Sequence, residues 1–208
     1  MTDIAALTAA QAAENVVHGA ARSDAVAAAV RRAVPDGREL TLLDYGCGPG
    51  HIGLRLTDYF ARVILADVDP AAIDLARTAA AGRANVEVRV MDLTHQIPTG
   101  LRADVVVSCL AWHHIRDLDP LLAALPHVAP GSRLLVADMD ADGGAYHADN
   151  PEFADITGFD RAALERTLAR HHYHDITAGD LWQSQKWVAG RLTPLSLFLL
   201  QAVVPAIT

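Results

Sequence analysis

The chain has 208 residues, 51% of them hydrophobic and 20% charged, a globular composition rather than a disordered one. With 17 basic and 25 acidic residues it carries a net charge of −8. That argues against a nucleic-acid backbone as partner, because such binding needs a clustered basic surface, and leaves small neutral or cationic ligands compatible.

The leading stretch, MTDIAALTAAQAAE, has no basic residues ahead of its apolar ones and does not read as a signal peptide. Residues 5–34 are alanine-rich, with strong helix propensity, and stop at the turn signal Pro35-Asp36-Gly37. The expected organisation is a single domain over 1–208: a helical segment over 1–37, then an α/β core over 38–208. Short β-branched or leucine-rich runs follow at 39–44, 62–67, 85–91, 103–108 and 132–138, and such runs suit strands buried on both faces. Helical patterns lie between and after them, at 51–60, 70–81, 119–128 and 160–171. Asp69 is placed as the N-cap of the second pattern, with Pro70 at its first position.

Alternating strands and helices predict a Rossmann-like, doubly wound, mostly parallel sheet with helices on both faces. Ligands of such sheets sit at the carboxyl ends of the strands, where the strand order reverses. The most apolar tract, 194–207, is too short to span a bilayer and is interrupted by Ser196 and Gln201. No membrane association is therefore expected, and a cytoplasmic location is. Cys47 and Cys109 are too few for a disulfide framework and are expected to behave as small buried apolar groups.

The first strand runs into LDYGCGPGHIG (43–53), which carries two overlapping motifs. GPGHIG fits the dinucleotide fingerprint of a nicotinamide-dependent oxidoreductase, and DYGCGPG fits the acidic-x-G-x-G-x-G loop of methyl-donor enzymes. Asp44 stands two positions before Gly46, where its carboxylate would repel a pyrophosphate but hold an ammonium group. Asp67 ends the second strand, where an acidic residue can accept both ribose hydroxyls. Asp92 follows the third strand, placed for the amino group of adenine. Together they suggest an adenosine ligand with a cationic tail.

The chain resembles the class I S-adenosylmethionine-dependent methyltransferases, in their small-molecule (ubiquinone/menaquinone-methyltransferase-like) branch. LDYGCGPGHIG and VILADVDPAAIDLAR (63–77) resemble the family's first two motifs, ADVVVSCLAWHHIRD (103–117) the fourth, and VAPGSRLLVADMD (128–140) the fifth strand with its turn. The resemblance implies a seven-stranded sheet whose last strand, 194–204, runs antiparallel. It implies S-adenosylmethionine as cofactor, S-adenosylhomocysteine as product and a small-molecule acceptor. By the same resemblance Asp44, Gly46 and Gly48 contact the methionine part, Asp67 the ribose, and Asp92 and Leu93 the adenine. Ser108 and Leu110 line the pocket, and Cys47, Gly50 and Val68 complete the expected cofactor contacts. SCLA (108–111) departs from the Asn/Asp-Pro-Pro-aromatic tetrapeptide used on DNA bases, which again disfavours nucleic acid.

Two other constellations suggest different functions. Asp138, Asp140, Asp142, Gly143 and Asp149 fall at EF-hand loop positions, but a strand precedes them and Pro151 follows, so the flanking helices of a calcium site are missing. HHYH (171–174) would put His172 and His174 on one face if extended, without a partner at a recognised ligand spacing. No metal ligand is assigned, and a non-catalytic adenosylmethionine- or calcium-binding module stays as an alternative to an enzyme. For proton abstraction His113, just past the fourth strand, is the first candidate and His147 the second. Acceptor recognition is expected from Asn15–His18 and from the loop 140–159 with Tyr146, His147, Phe153 and Phe159.

Overall fold

The computed structural model describes residues 4–153 and 155–207. Met1–Asp3 of the leading stretch, Ala154 of the expected acceptor loop and Thr208 lie outside the described residues. Helix α1 (Ile4–Ala33) precedes strand β1 (Thr41–Tyr45), strand β2 (Arg62–Asp67), helix α2 (Pro70–Ala79), strand β3 (Val86–Val90) and strand β4 (Val105–Cys109). Helix α3 (Asp119–Val128), strand β5 (Arg133–Met139), helix α4 (Arg161–Arg170), strand β6 (His174–Val188) and strand β7 (Arg191–Val203) complete the chain.

One seven-stranded sheet has the order β3-β2-β1-β4-β5-β7-β6. The first five strands are mutually parallel, and β7 runs antiparallel to both β5 and β6. Because side chains alternate along a strand, the apolar runs supply both faces at once. Leu43 and Tyr45 of β1 pack with Ile64, Leu121, Leu125, Leu164 and Phe198, the side covered by α3 and α4. Leu42 packs with Val63, Leu65, Val105, Val26, Val30 and Ile73, the side covered by α1 and α2. The order reverses between β1 and β4, so a crevice opens there at the carboxyl ends of the strands. An all-parallel dinucleotide fold has no inserted antiparallel strand, and β7 sets this sheet apart from that fold.

One expectation is corrected, and two features stand that the sequence left open. Residues 51–60 form no α-helix; a short 3-10 turn spans Gly53–Leu56. The Gly53 N–H donates to the Asp44 Oδ2 at 2.8 Å, which ties this turn back to β1, and the tighter turn covers the return to β2 with more rise per residue. The long edge strand β6 has no counterpart among the predicted elements. Its Asp175, Gly179 and Asp180 disfavour strands, yet a two-residue turn pins it to β7. Ala189 and Gly190 there both take positive φ, 49° and 74°, the geometry of the hairpin turn that matches strand twist. The HHYH stretch is not extended, since His171 caps α4 and His172 has φ 64°.

Candidate active site

The glycine loop leaves β1 through three left-handed residues, Gly46 (φ 73°), Gly48 (φ 52°) and Gly50 (φ 87°). The N–H groups of Gly46 and Cys47 both donate to the Ala66 carbonyl, at 2.8 and 3.0 Å, tying the loop to β2. A Cβ at Gly46 would stand 2.3 Å from the Ala111 Cβ, so only glycine lets the loops after β1 and β4 meet so closely. Asp67 holds the loop from the other side: its Oδ2 accepts from Gly48 N–H at 2.7 Å and its Oδ1 from Asp69 N–H at 3.0 Å.

Asp44 is buried beneath this loop. Its Oδ2 accepts from Gly53, while its Oδ1 has no partner. Burial pushes the carboxyl up to about 7, against the pull of the Gly53 hydrogen bond. An orphaned buried carboxylate oxygen is costly unless a donor completes it. The ammonium group of the implied cofactor is such a donor, and the narrow glycine cradle leaves the backbone open to close approach, so the residues present fit that group.

Beside the loop lies a cleft of about 770 Å³. Of the expected cofactor contacts, Gly46, Gly48, Asp67, Val68 and Asp92 line it. Asp44, Cys47, Gly50, Leu93, Ser108 and Leu110 lie outside that lining and support it. Cys47 is buried, which pushes its thiol up, and half-buried Cys109 behaves likewise, at about 12. Gly50 backs onto Leu65. Leu93 is buried and its N–H donates to the Tyr45 Oη at 3.1 Å. The Ser108 hydroxyl donates to the Tyr45 carbonyl at 2.7 Å. Leu110, at φ 53°, packs against Met139, Leu195 and Leu197. Asp92 accepts from the Thr94 N–H and lies 2.9 Å from His95 Nδ1. Burial pushes Asp92 up, but those partners win and hold it below the usual range. Tyr45, Ala111, His114, Ile115 and Phe153 also line the cleft; the first four lie inside the first and fourth motifs, and Phe153 in the expected acceptor loop.

At the β4 side three histidines converge. His113 and His114 lie on a 3-10 turn (Trp112–His114), and His147 ends another (Ala145–His147) in the loop between β5 and α4. His113 Nδ1 meets the Asp138 Oδ1 at 2.5 Å, with both side chains buried. Asp138 also accepts from the N–H groups of Trp112 and Met139. Since a carboxylate only accepts, the His113 proton sits on Nδ1 and leaves an Nε2 lone pair, 3.2 Å from His147 Nε2. The His114 ring lies 4.2 Å from that of His113 and 4.7 Å from Phe153. Burial, then the neighbouring His113 and His147, lowers His114 to about 4, and burial lowers His147 also.

Two further expectations fall on the same loop. The calcium-like carboxylates diverge: Asp138 serves His113, Asp140 accepts a two-pronged contact from Arg161 at 2.6 and 2.7 Å, and Asp142 accepts from Gly144 and Tyr146 N–H. Asp138, Asp140 and Asp142 thus each face different protein donors rather than a common centre. Tyr146 and residues Asn15 and His18 face away from the cleft, lining a separate cavity of about 140 Å³ between α1 and β6. Phe159 anchors the loop against Phe198, ring centres 6.4 Å apart. Of the four expected side chains, Phe153 reaches the cleft and His147 reaches its histidine wall.

Comparison with known proteins bears on this cleft. Residues 42–130 match the methyltransferase domain family. The chain is 31% identical over 122 residues to the ribosomal protein L11 methyltransferase of Photobacterium profundum, covering 55% of this chain and 41% of that protein. It spans less than half the length of such curated relatives. The fold is that of a SAM-dependent methyltransferase from Aquifex aeolicus, with a TM-score of 0.60 at 18% identity over 86% of this chain and 89% of that one. It is also that of a Haemonchus contortus phosphoethanolamine N-methyltransferase, solved with phosphomonomethylethanolamine and S-adenosylhomocysteine, with a TM-score of 0.65 at 17% identity over 85% and 51% of the two chains. The matched segment runs from β1 to just past α3, so it holds the glycine loop, Asp67 and Asp92. Among the described residues, no helix is long and apolar enough to cross a membrane.

Proposed function

We propose that the chain is an S-adenosylmethionine-dependent methyltransferase acting on a small-molecule acceptor seated against the histidine wall of the cleft. One juxtaposition carries the reading. The glycine cradle, Asp67 and the orphaned Asp44 oxygen adjoin a cleft whose far side is lined by His114, Ile115 and Phe153. When bound, S-adenosylmethionine supplies a methyl group already activated on a sulfonium. Asp44 would hold its ammonium group, Asp67 its ribose hydroxyls and Asp92 its adenine edge. The chain's remaining tasks are to align the acceptor and exclude water, and proximity of that kind supplies about 7–11 kcal/mol.

A small acceptor is favoured over a protein chain by the cleft itself. Its volume, about 770 Å³, lies within the roughly 300–1,000 Å³ of small-ligand sites, and Ile115, Pro120 and Phe153 give it apolar walls. The curated relatives are named for a ribosomal protein, so a protein acceptor is the competing outcome. Two unpaired cysteines suit the reducing cytoplasm, where we place the enzyme. Calorimetry with adenosylmethionine, adenosylhomocysteine and NADH tests the cofactor, with binding of the first two expected. Binding of NADH alone would overturn the proposal. Radiolabelled methyl transfer to a small-molecule panel and to ribosomal protein tests the acceptor; label on protein only would remove the small-molecule half.

A further inference from the structure

His113, His114 and His147 come from two loops, yet one ring nitrogen of each lies within 4.8 Å of the others. Three features make the group more than a hydrogen-bonded cluster. The 3.2 Å between His113 Nε2 and His147 Nε2 is close to the edge, about 3.4 Å, of a tetrahedron with metal–nitrogen bonds of about 2.0–2.1 Å. Asp138 takes the opposite nitrogen of His113, the buried carboxylate–histidine arrangement that fixes a ligating ring and its tautomer. The group also stands between two hollows, since His114 lines the main cleft, and His113 and His114 line a second space of about 480 Å³ with Phe153 and Phe159.

We propose that His113, His114 and His147 form a three-nitrogen site for a borderline divalent ion such as Zn²⁺ or Co²⁺, with an open position for an oxygen of the methyl acceptor. Imidazole ligands suit such ions, whereas Mg²⁺ and Ca²⁺ take oxygen ligands. Three protein ligands leave the fourth tetrahedral position to water or substrate, the pattern of catalytic rather than structural sites. His147 shares its Nε2 proton with His113 in the metal-free arrangement; a neutral ring moves that proton to Nδ1 when Nε2 binds the ion, so no net proton is lost there. The acceptor class that follows is a hydroxyl or phenol able to ligate the ion, which the metal would hold and acidify. That part rests on the methyltransferase reading; the metal site does not.

The test is titration of the chelator-treated protein with Co²⁺, followed by visible absorption, and with Zn²⁺, followed by calorimetry. One tightly bound ion with tetrahedral Co²⁺ bands is expected. His114→Gln and His147→Gln should each weaken it more than about tenfold with circular dichroism unchanged, while His172→Gln should leave it alone. His114 is only partly covered and the most exposed of the three, so its variant is the one least open to folding effects. Absence of saturable binding, or equal affinity in the folded His114 and His147 variants, overturns the site. Loss of binding in His172→Gln instead overturns it too. Adenosylmethionine binding measured on the metal-free protein separates the readings: the cofactor bound without metal uptake sinks this inference alone, and metal uptake without cofactor binding sinks the proposed function alone.

Discussion

The Asp67 carboxylate accepts the N–H of Gly48 at 2.7 Å, so the residue expected to meet the ribose also holds the glycine loop in shape. Its other oxygen accepts from Asp69, and each oxygen keeps a second lone pair for a ligand hydroxyl. Asp67→Ala should weaken adenosylmethionine by the 1.5–3 kcal/mol typical of charged hydrogen bonds, about 10- to 150-fold. Calorimetry on a variant with wild-type circular dichroism checks it. Unchanged affinity would remove Asp67 from the cofactor site.

Asp44 gives a pH dependence. Its folded carboxyl titrates at about 7, above the usual carboxylate value, chiefly because it is buried. A raised acid favours the protonated folded state, so this group costs nothing below the unfolded pKa. It then destabilises progressively as pH rises through the folded one. A ligand ammonium on the orphaned oxygen favours the ionised form, so affinity should climb between about pH 5 and about pH 7, then level. Binding below that plateau should take up the ligand with release of a proton, seen as buffer-dependent heats. Asp44→Asn should flatten the profile; a wild-type profile flat over the same range would place the ammonium elsewhere.

Gly46 and Gly48 differ in what surrounds them. Both have positive φ, at which an ordinary side chain costs about 1–2 kcal/mol. A Cβ at Gly48 meets nothing within 4 Å, while one at Gly46 strikes Ala111. Gly48→Ala should therefore lower Tm by only about 2–8 °C, and Gly46→Ala by distinctly more. Gly48→Val should stay folded yet lose cofactor binding, since its side chain rises into the cleft. Equal Tm losses at the two glycines would contradict the close packing of Gly46 on Ala111.

What could be read in advance was local, and what could not was set by distant contacts. Asp69 and Pro70 announce α2 because capping and a fixed φ act within one turn. The strands were legible since runs such as VILA are buried on both faces. The turn at Gly53 was misread because its backbone packs directly on Leu65 of β2, a distant contact, and β6 was missed because pairing with β7 overrides its composition. Tyr146 and His147 are adjacent, yet Tyr146 lines the small cavity by α1 while His147 joins His113 and His114, next to the turn held by Asp142. The histidine cluster left no spacing signal, because His113 and His147 are 34 positions apart and meet only through the order of β4 and β5.

Asp138 positions His113 without itself lining the cleft. It accepts three N–H groups, from His113 Nδ1, Trp112 and Met139. In Asp138→Asn one oxygen becomes an N–H₂ facing a donor, and an unsatisfied buried group of this kind costs about 1–3 kcal/mol. A purely structural role would predict that loss of stability and nothing more. A positioning role also predicts that His113 no longer holds its proton on Nδ1. Nitrogen NMR of labelled imidazoles should show the Nδ1–H tautomer in the wild type and a mixture in the variant, with methyl transfer reduced out of proportion to the fraction unfolded. An unshifted His113 tautomer and full turnover in the folded variant would leave Asp138 as a packing residue only.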